Sequence, residues 1–77
     1  MFLSYEDLEI FYKFCVNRIN YNIFKHMMMD IYQGSEKYVE DKWPAFRNDP
    51  VGFIVGRGEI KLFSMIIGLI DESDYKG

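Results

Sequence analysis

Phe53-Ile54-Val55-Gly56-Arg57-Gly58-Glu59-Ile60-Lys61-Leu62-Phe63 admits two readings, and they lead to different folds. Read as strands, Phe53-Ile54-Val55 and Ile60-Lys61-Leu62-Phe63 flank a turn at Gly56-Arg57-Gly58, the pattern of a β-hairpin. Read as helix, Ile60, Phe63, Ile67 and Ile70 share one face at three- and four-residue steps. Glu59 then falls in the first turn, where the helix dipole favours a carboxylate. A hairpin alone is marginal in water, and no other stretch offers a third strand. The expectation is therefore a last helix over about Glu59 to Glu72 and an all-α fold. The alternative is an α+β fold with a C-terminal hairpin. The tail from Ser73 to Gly77 is expected to fray.

Working back toward the N-terminus, Asn48-Asp49-Pro50 places an N-cap before a proline suited to a first helical position, so a short helix should begin there. Ser35 is a second cap, with Glu36 in the turn behind it and Tyr38, Val39, Lys42, Trp43 and Phe46 along the helix that follows. Pro44 is awkward in that helix, because it removes an N–H and crowds the preceding turn; an end or bend is expected near Trp43. At the N-terminus, Ser4 and Asp7 have capping-box spacing. Leu8, Tyr12, Cys15, Ile19, Ile23 and His26 continue at helical steps. They predict one long helix, about Ser4 to Gln33, with Gly34 supplying a left-handed end. The weak helix formers between Asn17 and Asn22 mark where it could break. The expected architecture is a single small helical domain, residues 1–77, built on this long helix with two or three shorter ones.

The chain has 77 residues, near the lower limit at which one core sustains itself, so dense packing or a partner must help. Cys15 is the only cysteine, which excludes an internal disulfide, and His26 is the only histidine, which leaves a structural metal without ligands. No cofactor is expected. The N-terminus turns acidic at Glu6-Asp7, unlike a secretory signal, and the longest apolar run, Met65 to Ile70, is far shorter than the roughly 20 residues of a membrane span. With a lone thiol, the expectation is a cytoplasmic protein without a membrane partner. A net charge of −3 and the lack of a lysine or arginine cluster speak against a nucleic-acid binder. The aromatics beside cations (Tyr12-Lys13-Phe14, Phe24-Lys25-His26, Phe46-Arg47) keep a small dimeric nucleic-acid-binding regulator as the alternative.

Catalytic templates fail for lack of parts. Along a continuous helix, Cys15 and His26 would stand about 16 Å apart at about 1.5 Å per residue, too far for a nucleophile–base pair. Glu6/Asp7, Glu40/Asp41 and Asp71/Glu72 are adjacent pairs that point apart on a helix. Gly56-Arg57-Gly58 lacks the Lys-Ser/Thr ending of a phosphate loop. The chain reads as non-enzymatic.

An excess of apolar positions carries the functional expectation. Beyond the stripe from Leu8 to His26, a second stripe runs through Ile10, Phe14, Tyr21, Met28 and Tyr32, three of them seven apart. Met27-Met28-Met29 adds adaptable side chains. A thirty-residue helix would be about 45 Å long, and the remaining residues could hardly cover both faces. The second stripe is thus expected to be exposed and to bind a protein, either a second copy or a foreign one. Ile10, Phe14, Tyr21, Met28 and Tyr32 are its anchors and Trp43 an additional one. The chain holds a single alanine and is crowded with Phe, Tyr, Met, Ile, Asn and Lys, a bias of AT-rich coding DNA. AT-rich phages and mobile elements share that bias, as do AT-rich bacteria; from a phage or mobile element, such a module would inhibit or modulate a host protein in the host cytoplasm, for instance a defence enzyme or the transcription machinery.

Overall fold

The computed structural model describes residues 4–76 and contains five helices and, among those residues, no strand. They are α1 (Tyr5–Arg18), α2 (Tyr21–Tyr32), α3 (Glu36–Asn48), α4 (Pro50–Arg57) and α5 (Ile60–Ser73). The all-α expectation holds and the hairpin does not form. Phe53-Ile54-Val55 lies in α4, and Gly58 (φ 65°) is the left-handed residue that ends it, its N–H reaching the carbonyls of Ile54 and Val55. The Gly-rich segment thus stops one helix and starts the next.

Local caps explain most of the other boundaries. The Ser4 hydroxyl accepts from Asp7 N–H while Asp7 returns a bond to Ser4 N–H, the reciprocal capping box. Ser35 Oγ accepts from Tyr38 N–H, and Asp49 Oδ1 from Gly52 N–H at 3.0 Å. A side chain at Gly52 would press on that Asp49 carboxylate in its present position, so a larger residue there would require the carboxylate to shift.

Three expectations are corrected. The long N-terminal helix is two helices. Ile19 and Asn20 are extended, and the Asn20 side chain accepts from Ile23 N–H to cap α2. Asparagine prefers this cap to a helix interior because its short amide competes with the backbone for hydrogen bonds. Secondly, the left-handed residue after α2 is Gln33 (φ 52°), one position ahead of Gly34. Thirdly, α3 runs through Pro44 to Asn48. Pro44 is exposed, so the carbonyl it leaves without a donor, that of Glu40, belongs to a residue facing water, while on the other side Phe46 is buried and half-buried Trp43 packs against the core.

The break lets the chain fold back, so that α2 packs on α3 and α5 while α1 packs on α4 and α5. The molecule measures 34 × 24 × 21 Å, well short of the expected rod. A cluster of buried side chains draws on all five helices, with Phe24 stacked on Phe46 (centroids 4.8 Å apart) and Phe53 edge-on to Phe46 at 5.7 Å. Phe24, Phe46, Met28, Leu62 and Ile66 lose all contact with solvent. Burying a side chain of that size is worth about 1.5–3 kcal/mol each.

Candidate interaction surface

The six anchors expected from the sequence do not form one face. Phe14 and Met28 are core residues, 5 % and 0 % exposed, so neither is available to a partner in the folded chain. Phe14 meets Tyr75 edge-on at 5.3 Å. Ile10 is half-buried. Tyr21 and Trp43 are also half-buried and pack edge to face at 5.8 Å, with the Tyr21 hydroxyl buried and lacking a protein partner. Tyr32 is exposed, yet its hydroxyl donates to the Glu59 carboxylate and its ring meets Tyr38 at 5.9 Å. The expectation failed because the chain bends at Ile19–Asn20, which gives the second stripe neighbours to pack against.

The first stripe is displaced in turn. In α1 the inward positions are Phe11, Phe14 and Cys15, whereas Leu8 and Tyr12, expected inside, face outward. His26, also expected on the core face, is exposed on α2. The helical period was right and the helix is turned about its axis from the expected orientation. Phe11, absent from both expected stripes, stacks near Phe63 at 5.2 Å and fixes that turn.

What remains outside is concentrated. Among the described residues six large apolar side chains are exposed, and five of them (Tyr5, Leu8, Tyr12, Val55 and Ile60) lie on α1, α4 and the start of α5. Tyr5, Leu8 and Tyr12 follow at steps of three and four, so they form one row on α1, and a groove of about 350 Å³ joins this row to Val51. Val51 and Val55 stand one turn apart on α4. Val55 and Ile60 then share a second groove, about 260 Å³, floored by Ile54 and Phe63. The two grooves, on α1, α4 and the start of α5, are linked along α4 by Val51 and Val55 and together make an apolar strip. Val55 and Ile60 are about three-quarters exposed, at 73 % and 75 %. Glu9 and Lys13 pair at 3.1 Å on α1 beside it.

Sequence reasoning missed these residues because two stripes of similar character compete on one helix, and only the tertiary neighbours decide which is covered. The usable signal was the Tyr5-Leu8-Tyr12 row itself, together with Val55 and Ile60 bracketing the Gly58 stop.

Elsewhere the chemistry is inward or dispersed. The Cys15 thiol is 1 % exposed, and burial pushes its pKa up to about 12. Among the described residues no three His, Cys, Asp or Glu side chains converge as a metal site, and no helix is long and apolar enough to cross a membrane. Glu59 is the buried carboxylate. It accepts from Tyr32 and, at 3.4 Å, from Arg57, whose guanidinium also reaches the Tyr38 hydroxyl at 3.5 Å. This network ties the end of α2 to the α4–α5 turn. Compared with protein-family models, curated proteins and solved structures, the chain matches none.

Proposed function

We propose that the chain is a non-catalytic protein-interaction module acting through the apolar strip of α1, α4 and the start of α5, and that the occupant of this strip is a second copy of the chain. The observation that carries the reading is that, among the described residues, five of the six exposed large hydrophobics lie along α1, α4 and the start of α5. The charge layout favours self-association. Glu6 stands on α1 with the Tyr5-Leu8-Tyr12 row and Lys61 follows Ile60 on α5, neither in an ion pair among the described residues, whereas Glu9 and Arg57 are already paired with Lys13 and Glu59. A two-fold arrangement laying α1 of one copy across α4–α5 of the other sets opposite signs against each other twice. The sealed Cys15 thiol supports the non-catalytic reading, since thiol chemistry requires an accessible thiolate.

Light scattering behind size exclusion, over about a tenfold range of concentration, tests this. A dimer is expected for the natural chain and a monomer for the double variant Val55→Asp, Ile60→Asp. Both side chains are largely exposed, so the variant should keep its helical circular dichroism. A natural chain that stays monomeric throughout overturns the second-copy reading. A dimer indifferent to the double substitution overturns the strip. With a foreign protein in place of the second copy, the same surface would serve the inhibitor or modulator role suggested by the AT-rich composition. A pull-down from host lysate comparing the natural chain with the double variant addresses that version.

A further inference from the structure

The joint between α1 and α2 opens onto a depression of different chemistry from the apolar strip. It encloses about 310 Å³, and its lining includes Asn17, Arg18, Asn20, Tyr21, Trp43 and Arg47 but no carboxylate. In a chain of 12 acidic and 9 basic residues, two arginines in one lining without a carboxylate are a local excess of positive charge, the nearest acids being Glu72, which shares a neighbouring groove with Arg18, and Glu36 and Glu40 on the Tyr21 side. The ion pairs among the described residues lie elsewhere, at Lys13–Glu9, Lys25–Glu36 and Arg57–Glu59. Arg18 instead rests on the Tyr75 ring, 4.9 Å from its centroid. Arg47 donates through Nη1 to the Val16 carbonyl at 2.8 Å and lies 5.9 Å from the Trp43 ring centroid.

The lining offers uncommitted donors beside its acceptors, which are the Asn17 side-chain oxygen, the Tyr21 hydroxyl and the carbonyls ending α1. A guanidinium carries five N–H donors. Arg47 spends one on Val16, and Arg18 has no hydrogen-bond acceptor within the protein among the described residues. The Asn20 carbonyl oxygen is occupied by Ile23 N–H, so its amide group is left to donate. The carbonyls ending α1 oppose an anion, but the bond from Arg47 already answers that of Val16. Weighed together, two full charges outweigh the partial charges of the remaining carbonyls. A guanidinium fork matches phosphate or carboxylate, and a tetrahedral oxyanion presents oxygens in more than one plane, so it can accept from forks on two different helices.

We propose that this cleft binds a phosphate-class oxyanion, either free phosphate or the phosphate of a small phosphomonoester, held by the guanidinium groups of Arg18 and Arg47. The site stands apart from the apolar strip and does not depend on the second-copy reading. Trp43 is the only tryptophan of the chain and lines the cleft, so its emission reports occupancy. The experiment is calorimetric titration with inorganic phosphate and with ribose 5-phosphate at constant ionic strength, paralleled by Trp43 fluorescence. Saturable binding is expected, weakened about tenfold by Arg18→Gln and by Arg47→Lys, which keeps the charge and loses the fork. Tighter binding of ribose 5-phosphate identifies an ester as the source, and equal binding identifies free phosphate. No saturable signal up to about 10 mM, or the same affinity in both variants, overturns the site and leaves an adventitious ion only. Arg18 makes no backbone hydrogen bond through its side chain, so Arg18→Gln remains a fair test even where an Arg47 variant unfolds.

Discussion

The hydroxyl of Tyr32 and the carboxylate of Glu59 show how one polar contact can hold two distant ends of a chain, across 27 positions of sequence. The bond to Glu59, followed by burial and the carboxylate charge, pushes the Tyr32 pKa from about 10 up to about 12. The proton is therefore held more tightly in the folded chain than in the unfolded one. The resulting stabilisation is complete below pH 10 and is lost as the pH rises through 12. Spectrophotometric titration should show a late-ionising phenol that disappears in Tyr32→Phe and moves toward the ordinary tyrosine range in Glu59→Gln. An unchanged titration in Glu59→Gln would remove the carboxylate as the cause. Glu59 was read from the sequence as a first-turn acid. It sits at the N-cap of α5 but makes no side-chain cap bond, because its carboxylate is turned inward to Tyr32 and Arg57. Nothing local to Gly58-Glu59-Ile60 announces that, since both partners arrive from other segments.

At the level of helices, boundaries written in neighbouring residues were legible. Ser4 with Asp7, Ser35, and Asp49 with Pro50 all cap as their spacing implies, because a cap closes within three residues. The break at Ile19–Asn20 was visible only as weak helix formers, since the apolar period continues through it without a phase change. Pro44 was misread because its local cost is real but is outweighed by Trp43 and Phe46 packing on Phe24. The cost should still be measurable. Pro44→Ala restores a donor to a helix that already exists and should stabilise the chain by up to about 3 kcal/mol, read as a higher midpoint in urea. A lower midpoint would mean that the ring of Pro44 contributes packing or chain stiffness that outweighs the missing bond.

For the whole molecule, the all-helical class followed from the want of a third strand, while the choice of covered face did not follow from any residue taken alone. Phe14 and Met28 became core and Leu8 and Tyr12 became surface because α1 packs on α4 and α5, and those contacts join segments far apart in the chain. The same assembly encloses Cys15, and here the fold carries its own clock. A thiol so thoroughly shut away cannot meet a reagent until the structure parts around it, so its modification by a disulfide reagent counts openings of the core. At mildly alkaline pH the labelling rate should be orders of magnitude below that of the urea-unfolded chain. Their ratio then gives the opening equilibrium without denaturant. If the strip is occupied by a second copy, labelling should slow further as protein concentration rises, since each association event holds the molecule shut for as long as it lasts.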